Sequence, residues 1–248
     1  MRRDPGSRRI PRAVGAGLIA VAAVAVIVVA AVLLVRMQQD RRVAADQAAS
    51  YTPPPPDVGG LPLVTVIGDS FVSGSAADAD ATSLWTARLG RALGVTVQNL
   101  GVGGSGYVMR SRTATDRSTF ETRASGVDPD SAEVVFFGSR NDGSASAAKI
   151  YAAAMRSFQA VHDVAPRTKL IVIGPTWKNT HPPSGIGRAR DAVHRAAVAA
   201  HATWVDPIAR RWLPSDAGLL DASGVYQDAK GQAGIAALVE PIVRAQLP

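Results

Sequence analysis

Ser70 stands at the end of the run Val66-Ile67-Gly68-Asp69-Ser70-Phe71, where an apolar strand pattern breaks into a turn. A hydroxyl at a sharp strand-to-loop turn is accessible, which is what a serine nucleophile needs. The same tripeptide also serves as plain turn chemistry, with glycine for positive φ and Asp or Ser as a local cap. Two further segments carry comparable features. Asn99-Leu100-Gly101-Val102-Gly103-Gly104-Ser105-Gly106-Tyr107 is a backbone able to turn its amides toward a bound group. Gly138-Ser139-Arg140-Asn141-Asp142 offers a side-chain amide, Asn141, next to charged neighbours.

Each of these segments follows a short apolar run. Strands are expected at Leu63 to Ile67, Val95 to Leu100, Ala132 to Phe137, Lys169 to Ile173 and Thr203 to Val205. Helical patterns alternate with them at Ser83 to Leu93, Ala145 to Val164, Gly187 to Ala202 and Asp228 to Gln246. Strand and helix in alternation predict an α/β sheet, and such sheets place their ligand sites at the carboxyl ends of the strands. The three candidate segments therefore belong to one cleft. No repeat of solenoid length is visible.

In this order, each at a strand end, the three segments resemble the SGNH hydrolases, also called GDSL esterases, over about Leu61 to Leu247. The resemblance implies a three-layer α/β/α sandwich with a parallel sheet of about five strands, and hydrolysis of acyl or acetyl esters. It makes Ser70 the nucleophile and Gly104 and Asn141 donors to the oxyanion. Those roles are physically coherent, because acyl transfer through a tetrahedral intermediate needs preorganised donors, each contributing about 3 kcal/mol. Asp69, Arg140 and Asp142 then become groups that support the site or orient substrate.

A fourth block departs from the family pattern. An Asp-x-x-His motif is expected before the last helix, with glycine five residues after the histidine. Here the stretch reads Ser223-Gly224-Val225-Tyr226-Gln227-Asp228-Ala229-Lys230-Gly231, and Gly231 sets the register. Serine occupies the aspartate position, and Tyr226 the histidine position. A neutral phenol with a pKa near 10 does not accept the serine proton at pH 7 as imidazole does. Losing a triad member leaves the residual catalysis of the oxyanion hole.

The chain has 4 histidines that could replace the base. His162, His194 and His201 fall in helical patterns, and although Asp191-Ala192-Val193-His194 matches Asp-x-x-His literally, it reads as a helix face. His181 lies in the loop after the fourth strand, on the cleft side, and is the alternative base. Asp221 could orient a group in the block before the last helix, or cap the turn.

Composition narrows the remaining choices. With no cysteine, disulfides, thiolate metal sites and a cysteine nucleophile are excluded. The net charge of +7 resides largely before Leu61, where eight arginines face four aspartates, so no nucleic-acid partner is expected. Residues 13–35 carry no charge, and such a run spans a bilayer core of about 30 Å. It ends in Leu33, Leu34, Val35 and Arg36 with no small-x-small site directly after it, which favours an uncleaved anchor over a signal peptide; Ala44, Ala45 and Ala48 leave cleavage open. The arginine bias places residues 1–12 in the cytoplasm and the domain outside. Residues 36–60 form a linker containing Pro53 to Pro56.

Gly101-x-Gly103-x-x-Gly106 satisfies a dinucleotide fingerprint, but it follows the second strand and opens no apolar helix. Asp78 and Asp80 in an alanine-rich stretch read as a solvated cap rather than a metal loop. No cofactor and no metal are expected. The expected partners are an ester-bearing small molecule, lipid or glycan, together with the membrane. A non-enzymatic alternative remains: an SGNH fold that binds an envelope glycan or lipid, or a membrane partner, with Tyr107, Trp177 and Tyr226 as aromatic surface.

Overall fold

The β-branched and aromatic runs of the sequence form five strands: β1 (Leu63–Gly68), β2 (Thr96–Gly101), β3 (Ser131–Phe137), β4 (Lys169–Ile173) and β5 (Thr203–Val205). In this computed structural model, residues 60–74, 81–111, 117–138, 140–213, 219 and 227–247 are described. All strands are parallel and their order is β2-β1-β3-β4-β5. The central strands read as nearly continuous apolar runs because helices cover both of their faces. The α/β sheet of five parallel strands agrees with the expectation.

Side chains alternate between two cores. Ile67, Val134, Phe136, Leu170 and Val172 point to one face. There they meet residues of α3 (Phe120–Ala124), α4 (Ala147–Val164) and α5 (Ser184–Ala199). Val64, Val66, Val135, Phe137, Ile171 and Ile173 point to the other. That face is covered by Trp85 and Leu89 of α2 (Trp85–Leu93) and by Ile235, Val239 and Val243 of α6 (Ala229–Arg244). Each such side chain, fully buried, stabilises the fold by about 1.5–3 kcal/mol.

Two helices were not expected from the sequence: α1 (Ser70–Ser73), directly after β1, and α3. Four and five residues are too few to show a helical period. Helix α3 is set instead by a capping box, in which Thr119 and Thr122 exchange side-chain and backbone bonds. Helix α5 starts at Ser184, earlier than the expected Gly187, because Pro183 is its cap. Among the described residues no helix is long and apolar enough to cross a membrane. The expected anchor at 13–35 and nearly all of the linker lie outside them.

One residue works against the core. Glu133 of β3 is fully buried on the α6 side of the sheet, and among the described residues neither carboxylate oxygen has a hydrogen-bond partner. Burial pushes its carboxyl up to about 7, and Lys169 on the adjoining strand opposes the shift. A carboxyl with a raised folded pKa contributes stability that is fully present below its unfolded value, near 4.5, and lost as pH rises through about 7. Glu133→Gln should therefore flatten this loss and gain up to about 3 kcal/mol over wild type at pH 8. Urea midpoints between pH 4.5 and 8 check it, and parallel curves for the two proteins would contradict it.

Candidate active site

Gly68 ends β1 where the chain must turn against its neighbours. A Cβ there would collide with Val72 and with the Phe137 carbonyl at 2.7 Å, so only glycine lets α1 pack onto the strand end. Asp69 caps α1: its Oδ1 accepts from Phe71 N at 2.9 Å, and its carbonyl accepts from Val72 and Ser73. Ser70 is the first residue of α1 and is half-buried.

The segment after β2 passes across this helix. A Cβ on Gly103 would sit 3.9 Å from both Ser70 Cβ and Ser73 Oγ. Gly104 has φ +74°, the left-handed region that favours glycine, and it is exposed. Among the described residues none takes the N–H of Ser70 or of Gly104. Both amides are thus available to a ligand oxygen.

Asn141 lies in a short 3₁₀ turn after β3. Its Nδ2 donates to Ser105 O at 2.7 Å and, more weakly, to Asp69 Oδ2 at 3.3 Å. The amide is thereby held between Asp69, the cap of α1, and the glycine loop. Asp69 is almost fully buried, and burial raises its carboxyl to about 6. The Phe71 N–H and the charges of Arg140 and Arg123 hold it below where burial alone would put it. Arg140 stacks over the ring of Phe71, a residue of α1, at 4.9 Å.

Asp142 has a larger part than the sequence suggested. It is buried, and its carboxylate accepts from three consecutive amides: Tyr107 N at 2.8 Å, Val108 N at 3.0 Å and Met109 N at 2.7 Å. A single side chain after β3 thus holds the backbone leaving the glycine loop. Trp85 was also missed. Its Nε1 donates to Phe71 O at 2.6 Å, while its backbone N donates to Gln232 Oε1 of α6 at 2.8 Å. No local sequence signal marks either contact, since each joins segments far apart in the chain.

The remaining candidates are placed as follows. His181 is exposed and pairs with its neighbour, Nδ1 lying 3.3 Å from Thr180 Oγ1; no bond joins it to Ser70. His194 is exposed on α5 and stacks on Trp204 at 5.0 Å. Tyr107 is not cleft surface as expected: only 1% exposed, it packs against Phe120, Phe136 and Phe158. The fixed amides of the loop turn its ring into the core. Trp177 is half-buried. Ser223, Tyr226 and Asp221 lie outside the described residues, as do Asp78 and Asp80. Just past that block, Asp228 caps α6 by accepting from Gly231 N at 2.8 Å, and a Cβ on Gly231 would overlap Leu219 O. Among the described residues no group of three or more His, Cys, Asp or Glu could hold a metal.

Three strand ends thus supply a serine, two open amides and an asparagine amide on one edge of the sheet, the equipment for binding a tetrahedral oxyanion. Comparisons with known proteins bear on the fold and the family. The chain is 32% identical over 192 residues to a GDSL lipase of Mycobacterium tuberculosis, covering 74% of this chain and 82% of the relative. A lipase/acylhydrolase from Enterococcus faecalis has the same fold, with a TM-score of 0.57 at 18% identity over 76% of this chain and 98% of that one. A family two carbohydrate esterase from Cellvibrio japonicus superposes with a TM-score of 0.58 at 16% identity, over 74% of this chain and 61% of that one. The GDSL-like Lipase/Acylhydrolase family matches residues 66–233, spanning every segment of the site, and the chain belongs to that family.

Proposed function

We propose that this protein is a serine ester hydrolase, anchored in the membrane by residues 13–35 with the domain on the extracytoplasmic side, acting on acyl or acetyl esters. The convergence of Ser70, Gly104 and Asn141 at the ends of β1, β2 and β3 carries the reading. In the reaction Ser70 Oγ attacks the ester carbonyl carbon and gives its proton to a base. The carbonyl oxygen becomes an oxyanion, received by the N–H groups of Ser70 and Gly104 and by Asn141 Nδ2, which gives up its weak bond to Asp69 Oδ2 and keeps the one to Ser105 O. Collapse expels the alcohol with a proton, and water then cleaves the acyl-serine. The GDSL lipase and the carbohydrate esterase among its relatives make lipid esters and acetylated glycans the two substrate classes to try.

Tyr226 and Ser223, where the family has His and Asp, favour a second reading: an SGNH fold that binds an envelope ligand without turning it over. Hydrolysis of short-chain nitrophenyl esters by the full chain separates the two. Turnover that falls by about 1,000-fold or more in Ser70→Ala supports the hydrolase. Its further loss in His181→Ala would identify a relocated base. Turnover indifferent to Ser70→Ala would leave the binding protein as the better account.

A further inference from the structure

Arg123 of α3 is half-buried, and its guanidinium reaches the strand ends that carry the site. Nη1 donates to Gly68 O at 3.0 Å and to Leu100 O at 2.6 Å, at the ends of β1 and β2. Nη2 donates to Ser105 Oγ at 2.7 Å, and Nε to Thr119 O at 3.2 Å. Ser105 is fully buried; its hydroxyl donates onward to Val102 O at 2.6 Å, and its carbonyl is the acceptor that holds Asn141. Val102 N in turn donates to Gly68 O at 3.0 Å.

We infer that Arg123 is a positioning residue for the oxyanion site: its fork fixes the nucleophile's strand end, the glycine loop and, through Ser105, the Asn141 amide as one unit. The geometry requires a guanidinium. A planar fork reaches three acceptors on separate segments while its Nε–H anchors it to the cap of its own helix, whereas an ammonium on a flexible stem supplies one point of donation. The cation also lies close enough to Asp69 to favour its charged form, but a lysine would supply that charge too. What lysine lacks is the simultaneous reach.

The catalytic consequence rests on the ester-hydrolase reading, while the restraint itself does not. Two measurements on the full chain therefore separate them. Hydrogen exchange reads the restraint: Arg123→Gln and Arg123→Lys should both speed the exchange of amides 103–109 by on the order of tenfold or more, with β3 and α4 unchanged. Ester kinetics read the consequence: kcat should fall about 100-fold with KM within about twofold, as misplacement of transition-state donors demands. Ser105→Ala, which removes the loop anchor and leaves the strand ends tied, should speed exchange in the same segment, and it serves if Arg123→Gln does not fold. Wild-type exchange at 103–109 in Arg123→Gln, or full restoration of exchange and rate by lysine, overturns the inference. A wild type without turnover defeats the hydrolase reading alone, and exchange then decides the role of Arg123.

Discussion

Tyr226→His should raise serine-dependent ester hydrolysis by about 10²- to 10⁴-fold, the range a positioned general base contributes. On the proposed reading the N–H groups of Ser70 and Gly104, which no described residue takes, already serve the oxyanion, so its stabilisation does not await the change. What a phenol fails to supply is a proton acceptor near neutral pH. Adding Ser223→Asp should increase the gain further, because an imidazole without an orienting carboxylate spends part of its time in the wrong tautomer. Initial rates from pH 6 to 9 check the expectation. The gain should follow the titration of an imidazole and vanish when Ser70→Ala is combined with it. A variant no faster than wild type, in a protein that still requires Ser70, would mean that the base already comes from elsewhere.

Asp142→Ala should cost about 3–5 kcal/mol of stability. Three amide donors lose a buried charged acceptor at once. Asp142→Asn keeps the shape but only one acceptor oxygen and no charge, so it should fall between alanine and wild type. Urea denaturation of the three proteins measures the series. The damage should also reach the core, since Tyr107 is held among Phe120, Phe136 and Phe158 by the backbone that Asp142 fixes. An alanine variant within about 0.5 kcal/mol of wild type would show that the loop holds itself.

The strands and the longer helices were legible in the sequence because their signals are local: β-branched runs for β1 to β4, a period of 3.6 for α4 and α6. That Ser70, Gly104 and Asn141 follow three different strands of one sheet was legible for a related reason, while the roles proposed for them came from the family resemblance. The supporting contacts were not. Asp142 meets amides 33 to 35 residues away, and Trp85 meets Gln232 across 147 residues. Arg123 stands on a five-residue helix that no periodicity marks. Glu133 was hidden differently, in the run Ser131-Ala132-Glu133-Val134-Val135, where a lone carboxylate resembles an ordinary strand edge until both faces prove to be covered. Tyr107 misled because it follows a glycine loop, and exposure of the loop does not extend to the ring.

The hydrogen bonds of Trp85 separate the presence of a motif from the integrity of a site. Its indole grips the carbonyl of Phe71, the residue next to Ser70, while its own amide is gripped by Gln232 on α6. The seat of Ser70 is therefore completed by a segment translated long after the Gly-Asp-Ser block. A nascent chain that has already emerged past Asn141 carries Ser70, Gly104 and Asn141 in sequence, yet the turn at Ser70 gains this support only when the carboxyl-terminal helix docks.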